Sequence, residues 1–304
     1  MANLGKSVRR IITVIGGPTG SGKSALAMEL CRRLGWEILS ADSGQSRAGF
    51  AIGTAAPSMA ELEAVRHHLV GDLSPLEPDS VALFLDRAAQ VLQTPGPDLV
   101  VVGGTGQYLH GLLYGLKASP PPDPDLRQEL SQRLAVEGIP ALLAELAGMD
   151  TPPHDAHTNP VRLLRALEKA ILRSRGILGT ARQPLCPVVP LYALGLDRTE
   201  LHQRLDTRLH LMLHSGWPEE VAALAIRYPP TAPAWQCIGY TELREAGAGP
   251  VPAAVVQRIQ EATRQYAKRQ ETWLRNRMGP TWLNGGRGAS VVADRIVDAL
   301  RHSL

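Results

Sequence analysis

Residues 17–24 have the residue types and the spacing of a phosphate-binding loop. The segment reads G-x-x-x-x-G-K-S between an apolar run at residues 11–15 and a helix-like segment that starts at Ala25. Glycines let the backbone curl so that successive N–H groups and the positive end of the following helix face one anion. Lys23 is expected to reach an outer phosphate, and the Ser24 hydroxyl to bind Mg²⁺. The segment predicts a di- or triphosphate site, whereas the alternative is a glycine-rich turn without a ligand. The residues of this predicted diphosphate site are Gly17, Pro18, Thr19, Gly20, Ser21, Gly22, Lys23 and Ser24.

Asp42 is a second candidate for chemistry. It follows a short predicted strand at residues 36–40. In an open parallel sheet the ligand lies beyond the carboxyl ends of the strands, so Asp42 is expected to face the phosphate site. A carboxylate there can hold Mg²⁺ or accept a proton as a general base. The alternative is an aspartate that only stabilises a turn or caps a helix.

A third predicted strand, at residues 98–102, ends in Gly103-Gly104-Thr105-Gly106. Ordinary P-loop ATPases carry a carboxylate at the end of such a strand to hold magnesium, and this strand carries none there. The glycines allow another molecule to approach the backbone closely, and Thr105 offers a hydroxyl to the crevice. This pattern weakens the interpretation as a generic ATPase.

Arg208 lies on a predicted helix at residues 199–214. At 100° per residue it falls at the edge of an apolar stripe, so it is expected to point inward and meet an anion, with a structural salt bridge as the alternative. The stripe consists of Leu201, Leu205, Leu209 and Met212.

A second predicted helix, at residues 252–277, carries three cations on one line. Arg264, Lys268 and Arg275 fall within about 40° of one another, opposite an apolar face. We call these three residues the basic ridge. We expect no acid to be interleaved on that line, so the basic ridge is expected to suit a phosphate backbone, and an ordinary solvated face is the alternative.

The rest of the chain sets the organisation around these residues. It has 304 residues, 44% of them hydrophobic, a net charge of +3 and three cysteines, which indicates a globular, cytoplasmic protein without a disulfide framework or a membrane span. A helix is predicted over residues 61–68. The proline-rich segment at residues 120–124 opens a helical stretch, so we predict a helical insertion at residues 117–188. The remainder, residues 1–116 and 189–304, predicts an α/β fold: a P-loop NTPase-like core with a parallel sheet flanked by helices.

Together these motifs resemble the tRNA dimethylallyltransferases of bacteria, also called tRNA isopentenyltransferases. The resemblance runs almost end to end and is most specific in two blocks, VVGGTGQYL at residues 101–109 and TRQYAKRQETWLR at residues 263–275. The sequence departs from the family at Arg47, where tyrosine is usual, and at Ala56, where lysine is usual. The resemblance implies transfer of the dimethylallyl group from dimethylallyl diphosphate to N6 of the adenosine 3′-adjacent to the anticodon, in tRNAs that read codons beginning with U.

The resemblance also implies roles for particular residues. Asp42 matches the family's proposed general base, and Thr105 and Arg208 match residues that act with Lys23 and Mg²⁺ on the leaving diphosphate. Ser24 and Asp42 are the expected metal ligands. The target adenine is expected to flip out of its stack in the anticodon loop. The residues that match the family's tRNA contacts are Asp42, Ser43, Gly44, Gln45, Thr105, Arg127, Val161, Arg162, Leu163, Leu164, Arg165, Gln236, Cys237, Ile238, Gly239, Tyr240, Thr241, Lys268, Arg269, Gln270, Glu271, Thr272, Trp273, Leu274 and Arg275.

Two other hypotheses are consistent with the phosphate loop. A small-molecule or nucleotide kinase would use the same loop for ATP and Asp42 as base, but leaves the helical insertion and the basic ridge without a role. A non-catalytic RNA-binding module would use the loop only as a conformational switch. We expect a monomer whose partners are the tRNA anticodon loop and dimethylallyl diphosphate, with no membrane association.

Overall fold

A computed structural model describes residues 10–150, 152 and 156–302 of the chain. Six strands form its central sheet, and every neighbouring pair is parallel. The strands are β1 Ile12–Gly16, β2 Glu37–Ser40, β3 His67–His68, β4 Leu99–Gly103, β5 Leu191–Gly195 and β6 Thr281–Asn284. Their order across the sheet is β3-β2-β4-β1-β5-β6, which confirms the predicted α/β class with a parallel sheet.

The described residues also form α-helices. In chain order they are α1 Lys23–Leu34, α2 Met59–Ala64, α3 Val81–Gln93, α4 Gly106–Tyr114, α5 Pro124–Met149, α6 Pro160–Ser174, α7 Arg198–His214, α8 Trp217–Arg227, α9 Tyr240–Ala246, α10 Ala253–Arg277 and α11 Ala289–Arg301. No helix in the described ranges is both long enough and apolar enough to cross a membrane.

The chain divides into two compact units. One contains Met1–Tyr114 and Leu185–Leu304, with the sheet, and the other is Gly115–Pro184. The smaller unit starts two residues and ends four residues before the boundaries expected from the sequence. It contains α5 and α6, which pack their leucines together. Gly138, at φ 78°, interrupts the helical backbone of α5.

The central strands owe their position to continuous apolar runs. Val14 and Ile15 of β1 and Leu99, Val100 and Val101 of β4 are fully buried, as expected for parallel strands covered on both faces. Each strand therefore ends at the same edge of the sheet as its neighbours. This edge receives the phosphate loop after β1, Asp42 after β2 and Thr105 after β4.

The prediction of one helix over residues 61–68 is wrong at its end. Helix α2 stops at Ala64, Val65 turns to an extended conformation, and β3 pairs with β2. The His68 Nε2 atom lies 2.7 Å from Glu37 Oε2, and His67 Nδ1 lies 2.8 Å from the Val65 carbonyl oxygen. Residues 67 and 68 thus pair with β2 at the edge of the sheet and do not continue the helix.

The structure shows what the Arg47 side chain contacts. Its side chain is buried and its Nη1 donates hydrogen bonds to the carbonyl oxygens of Ser74, at 3.1 Å, and Glu77, at 2.5 Å. Its backbone forms a parallel bridge with Leu73. Arg47 therefore holds the segment that precedes α3 and does not point towards solvent.

Candidate active site

The phosphate loop is shaped by glycines and by the absence of a side-chain cap on α1. Gly17, Gly20 and Gly22 have φ values of 152°, 82° and 90°, a region that favours glycine. Gly22 is the N-cap of α1, and it has no side chain to accept hydrogen bonds from the first amides of that helix. These amides are therefore left for an anion, as the motif requires.

Two cations face the loop from different elements. Lys23 is buried, and its Nζ lies 3.4 Å from the Pro18 carbonyl oxygen, while Arg208 of α7 donates from Nη2 to Thr19 Oγ1 over 2.6 Å. Burial lowers the pKa of Lys23 to about 8, with Asp42 opposing this shift and Arg208 adding to it. Burial likewise lowers the pKa of Arg208, again opposed by Asp42. The loop thus concentrates positive charge that an anion would stabilise.

Arg208 points inward, as the helical wheel predicts. Within the part of the chain that the structure describes, no carboxylate oxygen lies within 4.0 Å of the Arg208 guanidinium nitrogens, the distance limit for an ion pair. The alternative of a structural salt bridge is therefore excluded for these residues. A half-buried guanidinium without a carboxylate partner favours an anionic ligand.

Asp42 uses its two carboxylate oxygens differently. Oδ1 accepts hydrogen bonds from the backbone N–H groups of Gly44 and Gln45, at 3.0 and 3.4 Å, which fixes the turn after β2. None of the described residues donates a hydrogen bond to Oδ2. The sequence left a turn aspartate and a reactive carboxylate as alternatives, and the geometry is compatible with both because the turn occupies one oxygen.

Thr105 is connected to the residue after Asp42 by a hydrogen bond from the backbone of Ser43. The Ser43 N–H donates to Thr105 Oγ1 over 3.1 Å, and the two hydroxyls are 3.3 Å apart. Tyr266 of α10 adds its hydroxyl next to Thr105; burial raises its pKa, and Asp42 adds to this shift. The ends of β2 and β4 are therefore joined at one point of the site.

The glycines after β4 have a different role from the predicted one. A Cβ at Gly104 would lie 2.2 Å from Gln270 Nε2, and a Cβ at Gly106 would lie 2.3 Å from Trp273 Cδ1. The close approach is therefore made by side chains of α10. This corrects the expectation that a second molecule meets the backbone at these two glycines.

A cavity of about 330 Å³ opens at this edge of the sheet. Polar groups from four elements line part of it, including Thr19, Asp42, Arg208 and Arg269. An apolar wall forms the rest. Its residues are Leu205, Leu209, Met212, Trp217, Ile238 and Ile259. Phosphate-binding groups and an apolar wall in one cavity suit a ligand with an anionic end and a hydrocarbon end.

Trp217 is a cavity residue that the sequence did not reveal. It is buried, and a Cβ at Gly53 or at Gly239 would lie 2.2 Å from its ring. The Tyr240 hydroxyl donates to Glu220 and accepts from the Gly53 N–H, which holds the loop against the indole. In the sequence, the only indication of this packing is the presence of glycine at positions 53 and 239. The fold shows that both glycines contact the Trp217 ring.

The donor set fits a hard cation that is held largely by its ligand. Ser24 and Asp42 offer oxygen atoms, the type of ligand that Mg²⁺ prefers. Within the described ranges, no group of three or more His, Cys, Asp or Glu side chains could hold a metal ion. Mg²⁺ usually keeps waters and binds one or two protein oxygens plus substrate phosphates, so two protein ligands are compatible with it.

The prediction of an unpaired basic ridge is wrong. Arg275 donates to Glu271 over 2.8 Å, and the helical wheel places Glu271 on the line of the three cations. Arg264 pairs with Asp206 of α7 over 2.5 Å. Lys268 is exposed. The basic ridge therefore contains ion pairs that partly neutralise its charge.

The residues that match the family's tRNA contacts separate by burial. Leu163, Tyr240, Gln270 and Leu274 are buried in the structure, so their side chains do not lie on the surface, and Gly239 is buried as well. The expectation that these four side chains contact tRNA at the surface is therefore wrong. The exposed ones are Arg127, Val161, Arg162, Gln236, Lys268, Arg269, Thr272 and Arg275. The half-buried ones are Asp42, Ser43, Gly44, Gln45, Thr105, Leu164, Arg165, Cys237, Ile238, Thr241, Glu271 and Trp273.

In the smaller unit, Arg127 and Arg165 meet on one carboxylate. Glu168 is fully buried, accepts from Arg127 at 2.6 Å and from Arg165 at 2.7 Å, and also accepts from the Asp123 N–H. Burial opposes ionisation of Glu168, but these hydrogen bonds lower its pKa. The Arg127 side chain stays 46% exposed. The sequence singled out the arginines and missed the glutamate that orients them.

A parallel sheet whose central strand leads into a G-x-x-x-x-G-K-S loop defines the class of P-loop α/β proteins. The sequence model of the IPP transferase family matches residues 47–277, and that of the isopentenyl transferases matches residues 10–74. The chain belongs to the IPP transferase family. It is 40% identical over 295 residues to the tRNA dimethylallyltransferase of Anaeromyxobacter sp. (strain Fw109-5), covering 94% of this chain and 98% of the relative.

Solved structures agree with this assignment. The tRNA isopentenylpyrophosphate transferase of Staphylococcus epidermidis superposes with a TM-score of 0.70 at 28% identity, covering 97% of this chain and all of the other. The corresponding protein of Bacillus halodurans gives a TM-score of 0.68 at 30% identity, covering 96% of this chain and 97% of the other. The kinase and the non-catalytic RNA-binding hypotheses are not favoured by these relatives.

Proposed function

We propose that this protein transfers the dimethylallyl group from dimethylallyl diphosphate to N6 of the adenosine 3′-adjacent to the anticodon, in tRNAs that read codons beginning with U. The observation that carries this proposal is the cavity in which a phosphate loop, a carboxylate and an apolar wall meet. The family's named members, including a tRNA dimethylallyltransferase at 40% identity, support it.

The diphosphate end of the donor binds at the loop. The amides at the start of α1, the Lys23 ammonium and the Arg208 guanidinium surround this position and offset the charge that collects on the leaving group. Thr105 adds a hydroxyl from the end of β4. Ser24 and Asp42 would hold Mg²⁺, which would supply further charge neutralisation for the leaving group.

The hydrocarbon end lies against the apolar wall. Leu205, Leu209 and Ile259 exclude water there, which protects a reactive allylic carbon from hydrolysis. The bond between this carbon and the diphosphate oxygen breaks, and its electron pair leaves with the diphosphate. The N6 lone pair of adenosine forms the new carbon–nitrogen bond.

Asp42 takes the proton that N6 loses. An aromatic amine is a weak nucleophile, so a base within hydrogen-bond reach assists its attack. Oδ1 is engaged by the turn, and Oδ2 is the oxygen left for this role. The proton passes from N6 to the carboxylate as the new bond forms.

The RNA is held by surfaces on both units. Exposed cations of α10 and the Arg127 guanidinium, held by Glu168, provide phosphate contacts. A single-stranded anticodon loop allows the target adenine to leave its stack and enter the cavity. We propose that the protein acts as a monomer in the cytoplasm, with Gly115–Pro184 serving as a tRNA-contacting insertion.

The test is incubation of the pure protein with Mg²⁺, radiolabelled dimethylallyl diphosphate and an unmodified tRNA with adenosine after its anticodon. Label is expected in the tRNA, and not in a matched tRNA with guanosine at that position. A parallel reaction contains ATP in place of the labelled donor. Consumption of ATP without label transfer in the first reaction would replace this proposal with the kinase hypothesis.

A further inference from the structure

Gln270 lies on α10 amid residues that the family resemblance assigns to tRNA contact, yet its side chain points into the protein. It is 5% exposed. Its Oε1 accepts from the Thr19 N–H over 2.8 Å, and its Nε2 donates to the Gly104 carbonyl oxygen over 3.0 Å. One amide therefore links the phosphate loop with the segment that carries Thr105.

We propose that Gln270 is a positioning residue for the diphosphate half of the site and makes no contact with RNA. The proposal rests on the proposed function only for the identity of the donor. Gln270 fixes the Thr19 peptide, and the Thr19 hydroxyl in turn accepts the hydrogen bond from Arg208. The cation that faces the leaving group is thus oriented through a peptide that Gln270 holds.

The chemistry of the amide explains why this residue type is needed. The Thr19 N–H requires an acceptor, and the Gly104 carbonyl requires a donor. A glutamine side chain supplies both at the end of a single side chain, whereas glutamate supplies only acceptors and lysine only donors. Glycine at position 104 is part of the same arrangement, because a Cβ there would lie 2.2 Å from Gln270 Nε2.

Neighbouring residues of α10 reinforce this contact. Leu274 packs against Gly16 at the end of β1, where an added Cβ would lie 3.1 Å from its Cδ2. Trp273 packs in the same way against Gly106. The inner face of α10 therefore abuts both loops of the diphosphate half, while Lys268 and Thr272 occupy its outer face.

The experiment compares Gln270→Glu with Gln270→Met and with Gln265→Glu. Gln265→Glu is the matched control, because Gln265 is exposed on the same helix and acquires the same charge. The dissociation constant of inorganic diphosphate with Mg²⁺ is measured by calorimetry without RNA, and that of the tRNA by filter binding. Both Gln270 variants are expected to bind diphosphate about tenfold more weakly, equivalent to about 1.4 kcal/mol, and to bind tRNA within about twofold of the parent.

Unchanged diphosphate binding in both Gln270 variants would overturn the proposal. So would tenfold weaker tRNA binding with normal diphosphate binding, because Gln270 would then act on the RNA. Thermal unfolding with and without diphosphate provides a second measurement. A smaller diphosphate-induced rise in Tm than in the control supports the proposal even if a variant is destabilised. Because neither readout requires prenyl transfer, failure of the proposed function would be recognised separately, by the absence of label in tRNA.

Discussion

The Arg208 guanidinium donates to the hydroxyl of Thr19 over 2.6 Å, which connects α7 to the phosphate loop across 189 residues of sequence. The Thr19 backbone N–H is engaged at the same time by Gln270 of α10. The loop is therefore held from two helices of the C-terminal part of the chain. Its two cations, Lys23 and Arg208, come from widely separated parts of the sequence.

Asp42→Asn tests the base and keeps the turn. An asparagine Oδ1 can still accept from the N–H groups of Gly44 and Gln45, so the fold should persist. We expect kcat to fall by about 10² to 10⁴, the usual contribution of a general base, with tRNA affinity unchanged. Single-turnover transfer measures the rate. Parent-like turnover in this variant would remove Asp42 from the proposed proton transfer.

Lys23 should give the reaction an alkaline limit. In the proposed mechanism the protonated amine binds the diphosphate, and since its pKa is lowered to about 8, the cation is lost as the pH rises through this value. We expect kcat/KM for dimethylallyl diphosphate to fall by about tenfold per pH unit above the pKa. Lys23→Arg, slower overall, should lack this fall between pH 8 and 10 because arginine stays charged there. An identical alkaline fall in both proteins would assign the limit to another group.

Arg127→Gln should weaken tRNA binding and reduce its dependence on salt. Loss of one phosphate contact lowers the slope of log affinity against log salt by about one. Arg133→Gln is the matched control, because Arg133 lies in the same unit and pairs with Glu137 at 2.7 Å and Glu145 at 2.6 Å. Equal slopes for the two variants would place Arg127 outside the RNA contact.

Gly53→Ala should destabilise the fold through Trp217. The added Cβ would lie 2.2 Å from the indole, so the ring or the loop must shift. We expect a loss of about 1–3 kcal/mol in the free energy of unfolding, measured by urea denaturation. Gly148→Ala is the comparison. It lies in α5 with no atom within 4 Å of its Cβ position, and it should be neutral or gain up to about 1 kcal/mol. A stability of Gly53→Ala equal to the parent's would contradict this packing.

The sequence was sufficient for the features that depend on local spacing. The phosphate loop, the strand before Asp42 and the inward direction of Arg208 all follow from motif or period, and the fold contains each of them. The glycines after β4 predicted a close approach, but only the fold showed that Gln270 and Trp273 make it. Such partners are far away in sequence, so no local pattern identifies them.

Two of the errors have the same physical origin, a partner that lies on another element of the fold. The helical wheel groups residues of one helix, so it could not show that Asp206 of α7 pairs with Arg264. Glu271 lies on the same wheel line as the cations and was within reach of sequence reasoning. The predicted helix over residues 61–68 failed because the backbone of β2 offered His67 and His68 a neighbouring strand.

The hydrogen bond between Thr19 and Gln270 spans 251 residues. During synthesis the phosphate loop leaves the ribosome long before α10 exists, and its glycines have no side chains of their own to hold the turn. A nascent chain that ends before α10 lacks Gln270, Trp273 and Leu274. The diphosphate half of the site therefore forms only after α10 has been synthesised, which delays its capture of an anion until then.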